Sequence, residues 1–321
     1  MARMLDTTSA TSPSPSPLFA WLDRHLHTHP PRAKSLVMTL FGDVVASHGG
    51  AVWLGSLIEL LAPFGINDRL VRTSVFRLAE EGWLDARREG RRSRYTLDPR
   101  SAARFNRAHQ RIYAPVQPDW DGHWTLVFAN IGAITAEQRG ALRKELLWQG
   151  YGTIAPFVFA HPAPDAAALD DILQRTGTAD TVFVCAASRP AGPSGRPLGG
   201  LVGECWQLGH VIDEHARFIA DFTGLAALLD DGAAPPSLEE AFVARMLTIH
   251  AFRRVQLHDP QLPLDLLPPD WPGKAAFALC GRIYRATWRG AEEHIVAALR
   301  REDAEAPGAA APFHDRFGGL A

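Results

Sequence analysis

The sequence predicts an α+β protein of three folded units, and three observations carry that prediction. Basic charge is concentrated toward the N-terminus, apolar segments in β-α-β-β-α-β order fill the middle, and the last third is written in helical periodicity. At 321 residues the chain exceeds what one small core organises. The expected units are residues 34–115, 116–188 and 201–321, with a loosely ordered tail over 1–33 and a linker over 189–200.

Composition narrows the class. A hydrophobic content of 46% with nine tryptophans indicates a folded chain, and no run approaches the roughly 18 apolar residues that span a bilayer. No membrane partner is expected. The early "TTSATSPSPSP" is low-complexity and lacks the apolar centre of a signal peptide. Just after it, His25, His27 and His29 alternate in "HLHTH"; extended, they would suit a stray divalent ion, but a flexible lead-in is the simpler reading. Cys185, Cys205 and Cys280 are odd in number and far apart, which fits a reducing cytoplasm.

The formal net charge is -2, yet residues 34–115 hold 13 Lys and Arg against 8 Asp and Glu. The rest of the chain beyond residue 115 is acidic. A basic unit carried by an acidic body points at phosphate. Within it, "KSLVMTLFGDVVASHGG" has helical spacing closed by two glycines, and "WLGSLIELLAPFGI" is a short helix broken by Pro63 and Gly65. "NDRLVRTSVFRLAEEGW" is a third helix, with Asn67 or Asp68 as N-cap and Gly82 as its stop. "WLDAR" and "SRYTL", joined by "REGRR", form a β-hairpin with Gly90 near its tip. Helix, helix, turn, helix, hairpin is the outline of a winged helix-turn-helix.

At 100° per residue, Ile66, Leu70, Val71, Ser74, Val75 and Leu78 share one sector of the third helix, and Arg69, Arg72, Thr73, Phe76 and Arg77 share the other. Such a helix is able to rest on its bundle and face a major groove, where arginine meets guanine or phosphate and threonine does so more weakly. Phe76 among arginines is odd, and contact with the second helix or the wing would explain it. Arg87, Arg88, Arg91, Arg92 and Arg94 belong to the hairpin and would track phosphates or enter a minor groove. On an isolated helix the plain alternative, a solvated face, would win; the helix–turn–helix–hairpin order favours double-stranded DNA.

In the middle unit, "HWTLVFANI" reads as a strand, "TAEQRGALRKELLWQGYG" as a helix and "GTIAPFVFAHP" as one or two strands. "PDAAALDDILQRTG" is a helix and "DTVFVCAA" a last strand, an order that suggests a ferredoxin-like layer. "SRPAGPSGRPLGG" is read as a linker, with phosphate cradling the sharper alternative. Beyond it come "LVGECWQLGHVIDEHARFIADF", broken near Gly209, then "SLEEAFVARMLTIHAFRRVQL" and "GKAAFALCGRIYRATW". The proline-rich "HDPQLPLDLLPPDWPG" is the crossover between the last two.

Three clusters in this body invite chemistry. Trp206, Phe218, Phe222, Phe242, Phe252 and Tyr284 would line a slot for an aromatic group, or simply form core. Arg253 and Arg254 follow His250 and would meet phosphates, or pair with carboxylates. His210, Glu214, His215, His250, His258 and Asp259 are suitable metal-ligand types, but their spacing is loose and no metal site is expected. No nucleophile elbow, P-loop or dinucleotide fingerprint occurs, so the chain reads as a switch and not an enzyme.

Several phrases resemble the PaaX family, the repressors of phenylacetic acid catabolism: "HGGAVWLGSLIELLAPFGINDRLVRTSVFRLAEEGWLDARREGRRSRYTL", "WDGHWTLV", "ELLWQGYGTIAPFVF", "RRVQLHDPQLPLDLLPPDWPG" and "RFGGL". They are dispersed over residues 34–320. The resemblance implies a homodimeric repressor bound to operator DNA and released by an aryl-CoA thioester, typically phenylacetyl-CoA, with no cofactor. It also implies a middle domain similar to the Cas2 nuclease, used for dimerisation, since "HWTLVFANI" carries no acid for a nuclease metal. Trp206, His250, Arg253 and Arg254 are the expected effector contacts. Two other readings differ in class: an enzyme of aryl-CoA metabolism whose basic hairpin grips CoA phosphates, and an architectural DNA-binding protein without effector.

Overall fold

The computed structural model describes residues 16–114, 119–129, 134–188, 198–231 and 235–320. The low-complexity start and the Gly/Pro-rich stretch 189–197 lie outside these residues.

The first described element corrects the expectation of a loose tail over 1–33. Pro17–Thr28 is a helix, α1, started by Pro17 and by Ser16, whose hydroxyl accepts the Phe19 amide. Leu18 and Leu22 are buried on it, and its neighbours are the helices Leu208–Asp230 and Leu238–His258 of the far end of the chain. The alternating histidines therefore lie on a helix, where a two-residue step turns by about 200° and cannot aim all three at one ion.

The basic unit follows the predicted order with one addition. Helix α2 (Ala33–Asp43) leads through a 3-10 turn to a short strand β1 (Ala51–Trp53), then α3 (Leu54–Leu61), α4 (Asp68–Glu80), β2 (Leu84–Glu89), β3 (Arg92–Leu97) and α5 (Ala102–Tyr113). Asn67 caps α4 by accepting the Leu70 amide. Gly65, with φ 71°, makes the turn between α3 and α4, a left-handed conformation that only glycine takes without strain. The sheet has the order β1-β3-β2, antiparallel throughout, with Trp53 opposite Arg94 and Arg87 opposite Arg94 on its other side. Strand β1 is only three residues long, too short to show a period of two, which is why the hairpin alone was legible.

The middle unit runs β4 (His123–Phe128), α6 (Ala136–Trp148), β5 (Gly152–Ala155), β6 (Val158–His161), α7 (Ala166–Thr176) and β7 (Phe183–Ser188). Its sheet order is β5-β6-β4-β7, all antiparallel, the split β-α-β arrangement expected of this element order. Val127, Leu142, Leu146, Phe159 and Ile172 fill its core. Thr135 and Gln138 form a reciprocal capping box at the start of α6, satisfying two otherwise orphaned amides.

The last unit is helical: α8 (Leu198–Cys205), α9 (Leu208–Asp230), α10 (Leu238–His258) and α11 (Gly273–Glu302). The break falls at Gln207, whose φ is 51°, and not at Gly209, which is inside α9. Helix α11 extends well past Trp288 because "AEEHIVAALRRE" continues the apolar stripe through Ala291, Ile295, Ala298 and Leu299.

The ends of the chain share one core, so the expected separation of 34–115 from 201–321 is not a separation in burial. Leu36, Val37, Leu40 and Phe41 of α2 are fully buried in the same cluster as Phe242, Phe252 and Tyr284. A helix apolar on more than one face must be covered on more than one side; α2 lies against α4 and against α10.

Candidate nucleic-acid interface and ligand clefts

On α4, Val71, Ser74, Val75 and Leu78 are buried, and Arg69, Arg72, Thr73, Phe76 and Arg77 are exposed. Two sequence expectations change here. Leu70 shares the apolar sector by angle, yet in the first turn of α4 it is 45% exposed. Phe76, for which contact with the second helix or the wing is the sequence expectation, is 61% exposed. Arg72 pairs with Asp68 one turn back, Nε to Oδ1 at 2.6 Å, and Thr73 Oγ1 donates to the Arg69 carbonyl at 2.8 Å. A hydroxyl held so still has lone pairs facing outward.

The hairpin arginines do not form one cluster. Successive strand residues point to opposite faces, and Arg87, Arg94 and Arg92 share the face that carries Trp53. Arg92 lies 4.3 Å above the Trp53 ring and donates to the Glu302 carbonyl at 2.9 Å. Arg94 is 5.9 Å from the same ring. Arg92 thus braces the hairpin on the end of α11 while its side chain stays 55% exposed, where the sequence reading has it free to clamp phosphate. Arg88 is on the opposite face with Tyr95, the face whose electrostatic neighbour is Arg72 of α4. Arg91 is exposed beside Gly90 at the tip, where φ is 64°.

The effector residues expected from the sequence are not brought together. Trp206 docks the helical unit onto the middle sheet: its Nε1 donates to the Gly150 carbonyl at 2.7 Å. A Cβ on Gly152 would come within 2.5 Å of the indole. It belongs to a small core with Trp124 and Trp271. Phe218, Phe222, Phe242, Phe252 and Tyr284 are closed inside the main core, so the aromatic slot is filled by its own side chains. His250 is buried 2.8 Å from Thr39 Oγ1; burial, then Arg253 and Arg254, push it down to about 3, so the ring is neutral. Arg254 is exposed.

Of these residues, Arg253 lines a cleft. A cavity of about 430 Å³ is lined by Arg32, Lys34, Arg104 and Arg253 with Trp83 and Trp148. Arg104 stacks on both tryptophans at 4.9 Å. The histidines and acids considered for metal pair among themselves instead: His215 with Asp259 at 3.0 Å and His258 with Glu214 at 3.0 Å. No group of three metal-ligating side chains occurs among the described residues.

What sequence reading missed is a buried ionic network. Asp43, at the end of α2, accepts from Tyr113 at 2.6 Å, Tyr284 at 3.0 Å, Arg245 Nε at 2.8 Å and Arg316 Nη1 at 3.1 Å. Arg245 Nη1 also donates to Glu292 at 2.6 Å, and Glu292 lies 3.0 Å from His48 Nε2. Burial favours the neutral Asp43 carboxyl, but Arg245 and Arg316 outweigh it and hold the group below the usual carboxylate range. The network ties the basic unit (Asp43, His48) to α5, α10, α11 and the C-terminal segment. Its one sequence signal was an acid closing the otherwise apolar "SLVMTLFGD".

An exposed cationic helix face and a braced basic hairpin are the features of this chain whose charge suits nucleic acid. Comparison with known proteins places the chain more narrowly. Residues 32–101 match the family profile described as PaaX-like protein, residues 117–197 the PaaX protein central Cas2-like domain, and residues 206–297 the PaaX-like protein C-terminal domain. The chain is 37% identical over 305 residues to the transcriptional repressor PaaX of Escherichia coli strain K12, covering 95% of this chain and 96% of that one. It also resembles the uncharacterized protein Rv0674 from Mycobacterium tuberculosis, at 25% identity and a TM-score of 0.50, over 83% of this chain and 98% of the other. The chain belongs to the PaaX family, and so to a family of transcriptional regulators, not of enzymes.

Proposed function

We propose that the chain is a winged-helix repressor of phenylacetate or related aromatic-acid degradation genes. As a homodimer it holds double-stranded operator DNA through α4 and the β2–β3 hairpin, and an aryl-CoA thioester such as phenylacetyl-CoA releases it. The observation that carries this reading is the α4 surface, where three arginines, a threonine and an exposed phenylalanine stand out from a helix whose opposite side is buried. The sheet order β1-β3-β2 beside it suits a wing, with Arg88 on the face that looks toward Arg72 of α4 and Arg91 exposed at the tip. Edge strand β7 supports the dimer: it is charge-free, and its Phe183 is 54% exposed, an apolar edge suited to a two-fold copy. Arg253, in its cationic cleft, is retained as an effector contact; Trp206 and His250 have structural partners.

To lower DNA occupancy, the thioester must bind the DNA-incompetent arrangement better than the competent one. The test uses a duplex selected by the protein itself from a random-sequence pool, followed by mobility shifts at several salt concentrations. Arg88→Ala with Arg91→Ala should flatten the salt dependence by roughly two ions. An unchanged slope removes the hairpin from phosphate contact. Added phenylacetyl-CoA should release the duplex where free phenylacetate does not.

A further inference from the structure

Helix α5 is where the three units meet. One side of it closes the cleft of Arg253; the other lines a separate cavity of about 520 Å³. Arg107, Gln110 and Arg111 of α5 face Gln149 and His161 of the middle unit, with Pro260 and Gln261 of the crossover completing the wall. Gly150 sets how close these walls come: its φ is 92°, and a Cβ there would lie 2.6 Å from the Pro260 carbonyl oxygen.

Three side chains of the cavity wall carry orphaned donors. Arg111 is 9% exposed; Nη1 donates to the Trp148 carbonyl at 2.8 Å and Nη2 to that of Asp259, while its buried Nε has no partner. Gln149 Nε2 and Arg107 Nε are likewise buried without partners. Folded proteins leave few such groups, and here three belong to side chains of one cavity wall, all of them N–H donors.

Charge points the same way. Arg111 makes no ion pair with a carboxylate among the described residues; the acid whose charge reaches it, Asp259, gives its carboxylate oxygens to His215 and the Gln261 amide. Arg107 holds Asp171 at 3.1 Å. The acid on the cavity wall, Asp165, spends Oδ1 on capping α7. His161 is consumed as well, accepting the Ala163 amide at Nδ1 and bonded to the Pro260 carbonyl. A buried guanidinium satisfied only by carbonyls is costly unless an anion compensates it.

We propose that this cavity binds a phosphate-bearing ligand, held by Arg107, Arg111 and Gln149. Donors on two facing walls suit a tetrahedral group with several oxygens better than a planar carboxylate, and arginine is the side chain that meets phosphate with a fixed fork. The ligand would join α5, which follows the hairpin directly, to the middle and helical units. Its effect on DNA rests on the repressor reading; the binding itself does not.

Titration calorimetry and thermal melts of the full chain test it, with pyrophosphate, coenzyme A and phenylacetyl-CoA as separate probes. At least one probe should bind and raise the melting temperature. Gln149→Leu and Arg107→Gln should each weaken that probe tenfold or more. Without probe, Gln149→Leu should melt at or above the wild-type temperature, since it removes an unsatisfied donor. Pyrophosphate binding as well as coenzyme A assigns the site to phosphate alone; tenfold tighter coenzyme A assigns it to the nucleotide; both support the proposal. If no probe binds, or both variants bind like wild type, the proposal fails. Failure to select any duplex would instead sink the repressor reading and leave the binding result standing.

Discussion

Replacing Asp43 by asparagine neutralises the centre of the buried network while changing its volume little. In the wild type four side chains donate to this carboxylate, at 2.6 to 3.1 Å, and it is 1% exposed. The amide leaves Arg245 and Arg316, both buried, with Glu292 as the remaining carboxylate beside them. Removing one partner of a buried ion pair costs about 3–5 kcal/mol. The amide oxygen still accepts from the tyrosines or one guanidinium, so about 3 kcal/mol is expected for asparagine and about 5 for alanine, which also opens a cavity. Against a total stability of roughly 5–15 kcal/mol, either change is large. The assay is urea unfolding of each variant at pH 7 and again toward pH 3. A carboxyl held below its unfolded value contributes its stability above that value, near 3.9, and loses it as pH falls further. The gap between wild type and Asp43→Asn should therefore be widest at pH 7 and shrink between about pH 5 and 3. A gap under about 1 kcal/mol at pH 7, or one that widens on acidification, would refute the assignment of Asp43 as the charged centre.

Other outcomes follow from single contacts. His161 and His250 are pushed down by burial to about 4 and about 3, so the fold favours their neutral rings. That stability is complete above the unfolded value of about 6.5 and is lost below it, by roughly 1.4 kcal/mol per pH unit for each ring; His250→Asn should make stability fall less between pH 7 and 5. Gly150→Ala meets both a positive φ and the Pro260 carbonyl, and a loss of about 2 kcal/mol is expected from urea unfolding. Phe76→Ala, at an exposed position, should leave the melting temperature unchanged and weaken selected-duplex binding in a mobility shift; unchanged binding would take Phe76 out of the interface. Phe183→Lys should shift the sedimentation of a dimer toward the monomer, and an unshifted profile would exclude the β7 edge.

How far the sequence could be read depended on the range of the signal. Helices α2, α3 and α4, the hairpin and the middle-unit order were legible because caps, glycine stops and hydrophobic period act within a few residues. The exposed α4 face followed from the same angular arithmetic, with Leu70 the exception, since burial in a first turn depends on what lies opposite. The hairpin's arginines were visible as charge, but their division between two faces needed the register, and Arg92's engagement needed the end of α11, some 210 residues away.

Local chemistry by itself determined the basic unit, its element order and the wording of a family. Tertiary structure alone decided that α1 and the first unit share a core with α9–α11. It also closed the aromatic slot on itself, placed Asp43 between Arg245 and Arg316, and left Arg111, Arg107 and Gln149 with orphaned donors around one cavity. The physical reason is that burial and pairing are properties of positions in space: a side chain's partner across 200 residues of chain leaves no periodic trace in the sequence that carries it.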